Sequence, residues 1–255
     1  MHSKFVIGLA LSPLGTASAA APAPPPVIMP VAGVANDAHA DPARRAAALR
    51  LASLLYSEDS QMRMADQIAD NELAPAFRSN DDLKKLDSQY PGFIEEVIRQ
   101  MKPAFLRFTK GQLPSYQERI ALLIAQRLNA EDIEDLTKFY RTPTGQKLLN
   151  GMQQNATAGT TIKESLTDPD KPTSYAAVVA DHKAAQDATR KLVDESDKAA
   201  LVEFAGKPYF TSVAALGPAI RKLEQDFANE PAPEFQAEIE AIMIATLTKF
   251  EVAKK

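Results

Sequence analysis

Residues 129–149, NAEDIEDLTKFYRTPTGQKLL, describe two helices meeting at a sharp corner. Asn129 is placed to cap the first helix, with Glu131, Asp132, Glu134 and Asp135 in the turns that follow. Their negative charge there sits against the positive end of the helix dipole. Ile133, Leu136, Phe139 and Tyr140 recur at the spacing of one apolar stripe. Thr142-Pro143 then resets the chain. Thr142 serves as the next cap, and Pro143 fits the first helical position, where no backbone N–H is needed. Gly145 has no Cβ, so another backbone or ring can approach it closely.

The corner returns in degenerate form 65 residues later. Asp194 stands for Asn129, Asp197 for Asp132, Leu201 for Leu136, Phe204 for Phe139, Pro208 for Pro143 and Val213 for Leu148, all in one register without a gap. Chemically alike pairs at one offset mark an internal repeat. The flanking helices do not match at that offset, so the repeat covers the corner alone. Tyr140 becomes Ala205, and Phe210 replaces Gly145, so the close approach is not shared.

The rest of the chain reads as helix. Gly is scarce at 10 of 255 residues, and 45% of the chain is hydrophobic, enough for a real core. Residues 1–19 have the form of a secretory signal peptide: Lys4, an apolar stretch from Phe5 to Leu14, and a small-x-small cleavage site at Ala17-Ser18-Ala19. Its apolar run is too short to span a bilayer. The expected location is therefore periplasmic or secreted, with cleavage near Ala19. Residues 20–40, with Pro24, Pro25 and Pro26, read as a Pro/Ala-rich flexible leader, and residues 41–255 as an all-helical domain. The run TDPDKP at 167–172 is a possible point of subdivision.

Within the domain, a helix is expected from Pro42 to Ser57, and a second carrying Met62, Met64, Ala65, Ile68 and Leu73. After Tyr90-Pro91-Gly92 comes a helix with Phe93, Val97, Met101, Phe105 and Phe108, kinked or broken near Lys102 by Pro103. Gly111 to Pro114 reads as a loop before a helix over 114–128. A helix from Pro143 is expected to weaken in its Thr- and Gly-rich later part, and one from Thr173 to Val193 leads into the second corner. The last helix, about Ala232 to Phe250, carries the stripe Phe235, Ile239, Ile242, Met243, Leu247 and Phe250. The expected fold is all-α, an irregular bundle of roughly eight helices with two related helix-Pro-helix corners.

The run Leu136, Phe139-Tyr140, Pro143, Gly145-Gln146-Lys147-Leu148 resembles a family of bacterial exported helical proteins, domain-of-unknown-function family 2059. Tyr90-Pro91-Gly92 before an apolar helix is similar to its members as well. The resemblance runs from about Ala47 to Met152 and implies an exported, all-helical fold. It implies no activity, because the family has no catalytic residues to carry over.

The residues themselves argue against most catalytic classes. Cys is absent, which removes disulfides, thiolate metal sites and cysteine nucleophiles. Only His2, His39 and His182 exist, too few for a multi-histidine zinc site or a serine triad in the folded region. The formal charge of −4 comes without a basic patch, so no nucleic-acid partner is expected. Glu95-Glu96, Glu131-Asp132, Asp168/Asp170 and Glu238/Glu240 pair in sequence, but neighbours on a helix point apart. A carboxylate hydrolase is the least favoured reading. The candidate polar site is Tyr140, Arg141, Gln146 and Lys147, on both sides of the first corner. The set would hold an anion. The plainer alternative is that Arg141 compensates a helix end and Tyr140 is packed. No cofactor and no metal are expected. The leading function is a non-catalytic module that binds an envelope protein or itself. A carrier of an apolar ligand, lined by methionines and phenylalanines, comes second.

Overall fold

The computed structural model describes residues 41–168 and 170–254. The expected signal segment, at 1–19, and the leader, at 20–40, lie outside the described residues. The fold is all-α. Twelve helices are described: α1 (Pro42–Leu55), α2 (Glu58–Asn71), α3 (Leu73–Ser79), α4 (Asp81–Gln89), α5 (Phe93–Arg127), α6 (Ala130–Arg141), α7 (Pro143–Gln154), α8 (Gly159–Thr167), α9 (Tyr175–Arg190), α10 (Glu195–Ala205), α11 (Phe210–Ala228) and α12 (Pro233–Ala253).

Helix α5 is the spine, 35 residues long. Its first half packs its buried Phe93, Ile94, Val97, Met101 and Phe105 with α2, α3, α8 and α12 in one core. Its second half packs Leu113, Tyr116, Ile120 and Ile124 with α1, α6 and α11 in another. The sequence reading expected a kink or break near Lys102 and a loop from Gly111 to Pro114; the helix runs unbroken through both places. Pro103, Gly111 and Pro114 all lie on the exposed side of α5, as do Arg99 and Lys110, whose carbonyls the two prolines leave without an N–H partner. Each interior proline costs about 3 kcal/mol. Buried side chains such as Met101, Phe105, Leu113 and Tyr116, each worth about 1.5–3 kcal/mol, offset that cost by keeping the helix in both cores.

The other helices lean on this spine. Helix α12 runs antiparallel to its first half. Phe235 stacks on Phe108 with ring centroids 4.4 Å apart, and Phe250 meets Phe93 edge-on at 6.1 Å. Helix α1 lies along the second half and across α6, tied by Gln117 Nε2 donating to the Tyr56 carbonyl at 2.6 Å and by the Arg50–Glu134 ion pair.

Helix ends explain why there are more helices than the roughly eight expected. The second expected helix stops at Asn71 and restarts at Leu73. The helix from Pro143 stops at Gln154, and its Thr- and Gly-rich remainder restarts as α8. Ala158 cannot cap α8 with its side chain, so residues from elsewhere in the chain do it. Glu72 accepts from the Ala158 N–H at 2.8 Å, and the buried Asp181 of α9 accepts from Thr160 and Thr161 at 2.9 and 3.0 Å. Burial pushes the Glu72 carboxyl up, and the Ala158 N–H partly counters this.

The two corners differ as their glycine difference demands. At the first, α6 and α7 share Thr142 as C-cap and N-cap, with no residue between. A Cβ on Gly145 would lie 2.1 Å from the Phe139 carbonyl oxygen and 2.7 Å from Tyr140 Cα. At the second corner Phe210 cannot approach so closely. The chain makes a turn from Gly206 to Tyr209, and Pro208 sits in that turn instead of opening α11 as Pro143 opens α7.

Glycine substitutions separate close approach from helix propensity. Gly145→Ala forces backbone against backbone and is expected to destabilise by about 3 kcal/mol. Gly111→Ala meets open space in a helix interior and is expected to stabilise by about 0.5–1 kcal/mol. Urea unfolding of both variants measures the pair. Equal effects at the two positions would contradict the account.

Candidate functional site at the paired corners

Each corner is built by its own caps. Asn129 Oδ1 accepts from the Asp132 N–H at 2.8 Å, and Thr142 Oγ1 accepts from Gly145 at 3.1 Å. Asp194 Oδ1 accepts from Ser196 at 2.8 Å, and the Asp197 carboxylate accepts from the Asp194 N–H at 3.0 Å, closing a capping box.

The corners then meet each other in a reciprocal way. The equivalent rings Phe139 and Phe204 stack, 4.1 Å apart and 10° from parallel. On one side, the start of α7 meets the start of α10. Lys147 Nζ lies 2.8 Å from Asp194 Oδ2 and 2.6 Å from Asp197 Oδ2, and Thr144 Oγ1 donates to Asp197 Oδ1 at 2.9 Å. On the other side, the start of α11 meets α6. The Tyr209 hydroxyl donates to Asp135 Oδ2 at 2.8 Å, and Lys207 lies 3.1 Å from the same oxygen. The start of α10 thus holds α7, α6 holds the turn that leads into α11, and Phe139 and Phe204 stack where the two corners meet.

These contacts fix charge. Hydrogen bonds to Asp194 and then Asp197 hold the Lys147 pKa above the usual lysine range. Lys147, and then Ser196, hold Asp194 well below the usual carboxylate range. The Asp194 N–H, and then Lys147, do the same for Asp197. Asp135 is lowered chiefly by the Tyr209 hydroxyl. Tyr209 is raised, first by burial and then by Asp135.

The four residues of the candidate polar site do gather at the first corner. Tyr140 is buried, and burial raises its hydroxyl pKa. The Gln146 amide bridges the corner by donating to the Tyr140 carbonyl. Arg141 lies exposed in the last turn of α6, where its charge faces the carbonyl end of the helix. Lys147 holds two carboxylates. Of the motif residues, Leu136, Leu148 and Val213 are buried, while Phe139, Phe204 and Leu201 are half-buried at the junction.

A second polar group was not read from sequence. His182 Nε2 meets Glu224 Oε2, and Glu224 Oε1 accepts from the Tyr116 hydroxyl at 2.9 Å, all three side chains buried. Burial, and then the Glu224 carboxylate, push the Tyr116 hydroxyl well up. The group joins α5, α9 and α11. Shut away from solvent, it specifies the packing of these helices instead of meeting a diffusing substrate. Its signal in the sequence was a charged residue in core register: Glu224 falls on the stripe of Leu216, Ile220 and Phe227.

The other chemistry weighed in the sequence is also placed. Glu95 pairs with Arg78, Glu96 with Arg99 and Lys249, and Glu238 with Arg107, all near solvent. Met64, Met101, Met152, Phe77, Phe93 and Phe105 are buried together in the first core. Among the described residues no helix is long and apolar enough to cross a membrane.

One surface stands out once the corners are superposed by their 65-residue offset. In the first corner, α1 covers the α6 face formed by Ile133, Leu136, Thr137 and Tyr140. The matching positions of α10 are Lys198, Leu201, Val202 and Ala205, and they are largely open. Thr137 is 5% exposed and its counterpart Val202 is 72% exposed. Helix α10 meets the rest of the fold mainly through α7 and the Phe204 stack, and Asp197 is its one buried residue.

The corner network is charged, so acid tests it. Asp135, Asp194 and Asp197 have folded-state pKa values below their unfolded ones. The stability they add is therefore complete above the usual carboxylate range and is lost as pH falls through the lower folded values. Lys147, raised, keeps its contribution until strong base. Asp197→Asn should lower the urea midpoint at neutral pH, and its deficit against wild type should shrink below about pH 4. A constant deficit down to about pH 3 would contradict the network's charge. In the buried group, Tyr116→Phe leaves Glu224 short of a donor and should cost about 1–3 kcal/mol by the same measurement.

No curated protein and no solved structure matches the chain. Residues 117–167, from the second half of α5 through the first corner to the end of α8, match the family model described as an uncharacterized protein conserved in bacteria (DUF2059), the family that the first corner resembles.

Proposed function

We propose that this chain is a non-catalytic helical module of the bacterial cell envelope that binds another protein, and that α10 is the face it binds with. The observation that carries this reading is the contrast between Thr137 and Val202: the apolar side of the first helix of each corner has a cover in one case and, among the described residues, none in the other. An apolar face left open beside a built ionic network has the make-up of a docking site, with an apolar centre and a polar rim. The stacked Phe139 and Phe204, half-buried at its edge, extend the apolar area. The methionines and phenylalanines that would line a ligand carrier fill the core instead, which weighs against that alternative.

An envelope location is supported by the signal-peptide form of residues 1–19, and the family model that matches residues 117–167 is a bacterial one. Binding, in this reading, adds a helix against α10 much as α1 lies against α6.

A photo-reactive amino acid at position 202 tests the reading in living cells. The expected result is a discrete heavier band from position 202 and none from the exposed, polar position 85 on α4. Position 202 giving no more product than position 85 would overturn the proposal.

A further inference from the structure

Helix α8 is clamped at both ends by residues from outside it. Toward its end, Asn80 Nδ2 donates to the Leu166 carbonyl at 2.8 Å, and Glu164 Oε2 accepts from the Ser174 N–H at 2.9 Å. At its start the clamps are two carboxylates from different parts of the chain. Glu72, the single residue between α2 and α3, takes the Ala158 N–H on Oε2. Asp181 of α9, 2% exposed, takes the N–H groups of Thr160 and Thr161, one on each oxygen. The Gly159 N–H goes to Thr157 Oγ1 at 3.2 Å, so every N–H from Ala158 to Thr161 has a partner.

Two carboxylates at one helix start suit the positive end of its dipole, but they also repel each other. Burial first, and the charge of Asp181 as well, push the Glu72 carboxyl up, while the Ala158 N–H and the Thr157 hydroxyl partly counter them. Asp181 is the charged group that acts on Glu72 from another helix. A glutamine at position 72 could accept the Ala158 N–H with no charge to bury. The charge of Glu72 therefore works against the fold at neutral pH.

Proton uptake reverses this. With the proton on Oε1, Oε2 still accepts from Ala158, while the repulsion and the burial of charge both end. A carboxyl whose folded-state pKa lies above its unfolded one adds stability as pH falls through the folded value, in full below the unfolded value. The corner carboxylates Asp135, Asp194 and Asp197, lowered in the folded state, respond in the opposite sense and at lower pH.

We infer that the start of α8 is a proton-operated latch: in mild acid Glu72 takes up a proton, its repulsion with Asp181 ends, and α8 is held more firmly to the α2–α3 junction and to α9. The joint it controls is the packing of α8 on α3 and α9.

Amide exchange of wild type and Glu72→Gln, read residue by residue by NMR and corrected for the intrinsic pH dependence of exchange, tests this. In wild type the protection of Ala158, Thr160 and Thr161, relative to that of the α6 amides, should rise severalfold from about pH 7 to about pH 5. Glu72→Gln, checked for folding by circular dichroism, should show the mild-acid protection at both pH values. Wild-type protection that stays level or falls over this range overturns the inference, as does an equal rise in Glu72→Gln. A carboxyl NMR titration of wild type needs no variant: Glu72 should take its proton above the usual carboxylate range, and a titration within or below that range overturns the latch.

Discussion

The contact between Gly145 and the Phe139 carbonyl sets the shape of everything around it. With no Cβ in the way, α7 starts directly against the end of α6, and Thr142 closes both helices. That tight corner holds Phe139 where Phe204 can stack on it and brings Thr144 and Lys147 to the start of α10. The second corner lacks the glycine, opens into a four-residue turn from Gly206 to Tyr209, and fits against the first by reciprocal contacts. Glycine in one corner and phenylalanine at the matching position of the other thus separate a corner with no residue between its helices from one with a four-residue turn.

Local features of the corners were legible in the sequence because they depend on neighbours within a few residues. Asn129, Thr142 and Asp194 cap where their side-chain chemistry says they should, and Gly145 marks the close approach. Phe139 and Phe204, paired at the 65-residue offset, stack on each other, while Pro208 falls in a turn instead of opening a helix as Pro143 does. A break at Pro103 and a loop at Gly111 to Pro114 did not form, because propensity says nothing about which side of a helix faces water. Their exposed placement lets tertiary packing override them in α5. Contacts between distant segments stayed hidden. The partners of Lys147 lie about fifty residues away, and the caps of α8 come from Glu72, between α2 and α3, and Asp181 of α9. His182 and Glu224 were unreadable as a pair for the same reason, although Glu224 in a core register was a trace of it.

The distribution of polar groups separates what holds the fold from what is left for a partner. His182, Glu224 and Tyr116 are spent inside, where a satisfied hydrogen-bond chain fixes how α5, α9 and α11 pack. The corner network of Lys147, Asp194, Asp197 and Thr144 anchors α10 by its first turn. Past that turn, α10 has the Phe204 stack and little else. Duplication of the corner without duplication of α1 gives one copy a structural role in the core and leaves the other at the surface with an apolar side open.

Amide hydrogen exchange on dilute protein tests this most directly, because protection reports how firmly each helix is held. The account predicts that the amides of α6, packed against α1 and α7, exchange only with global unfolding. Those of α10 should exchange far sooner by local opening, and should gain protection when a partner covers Val202. Equal protection of α6 and α10 in the dilute protein would contradict the claim that the second corner lacks its cover.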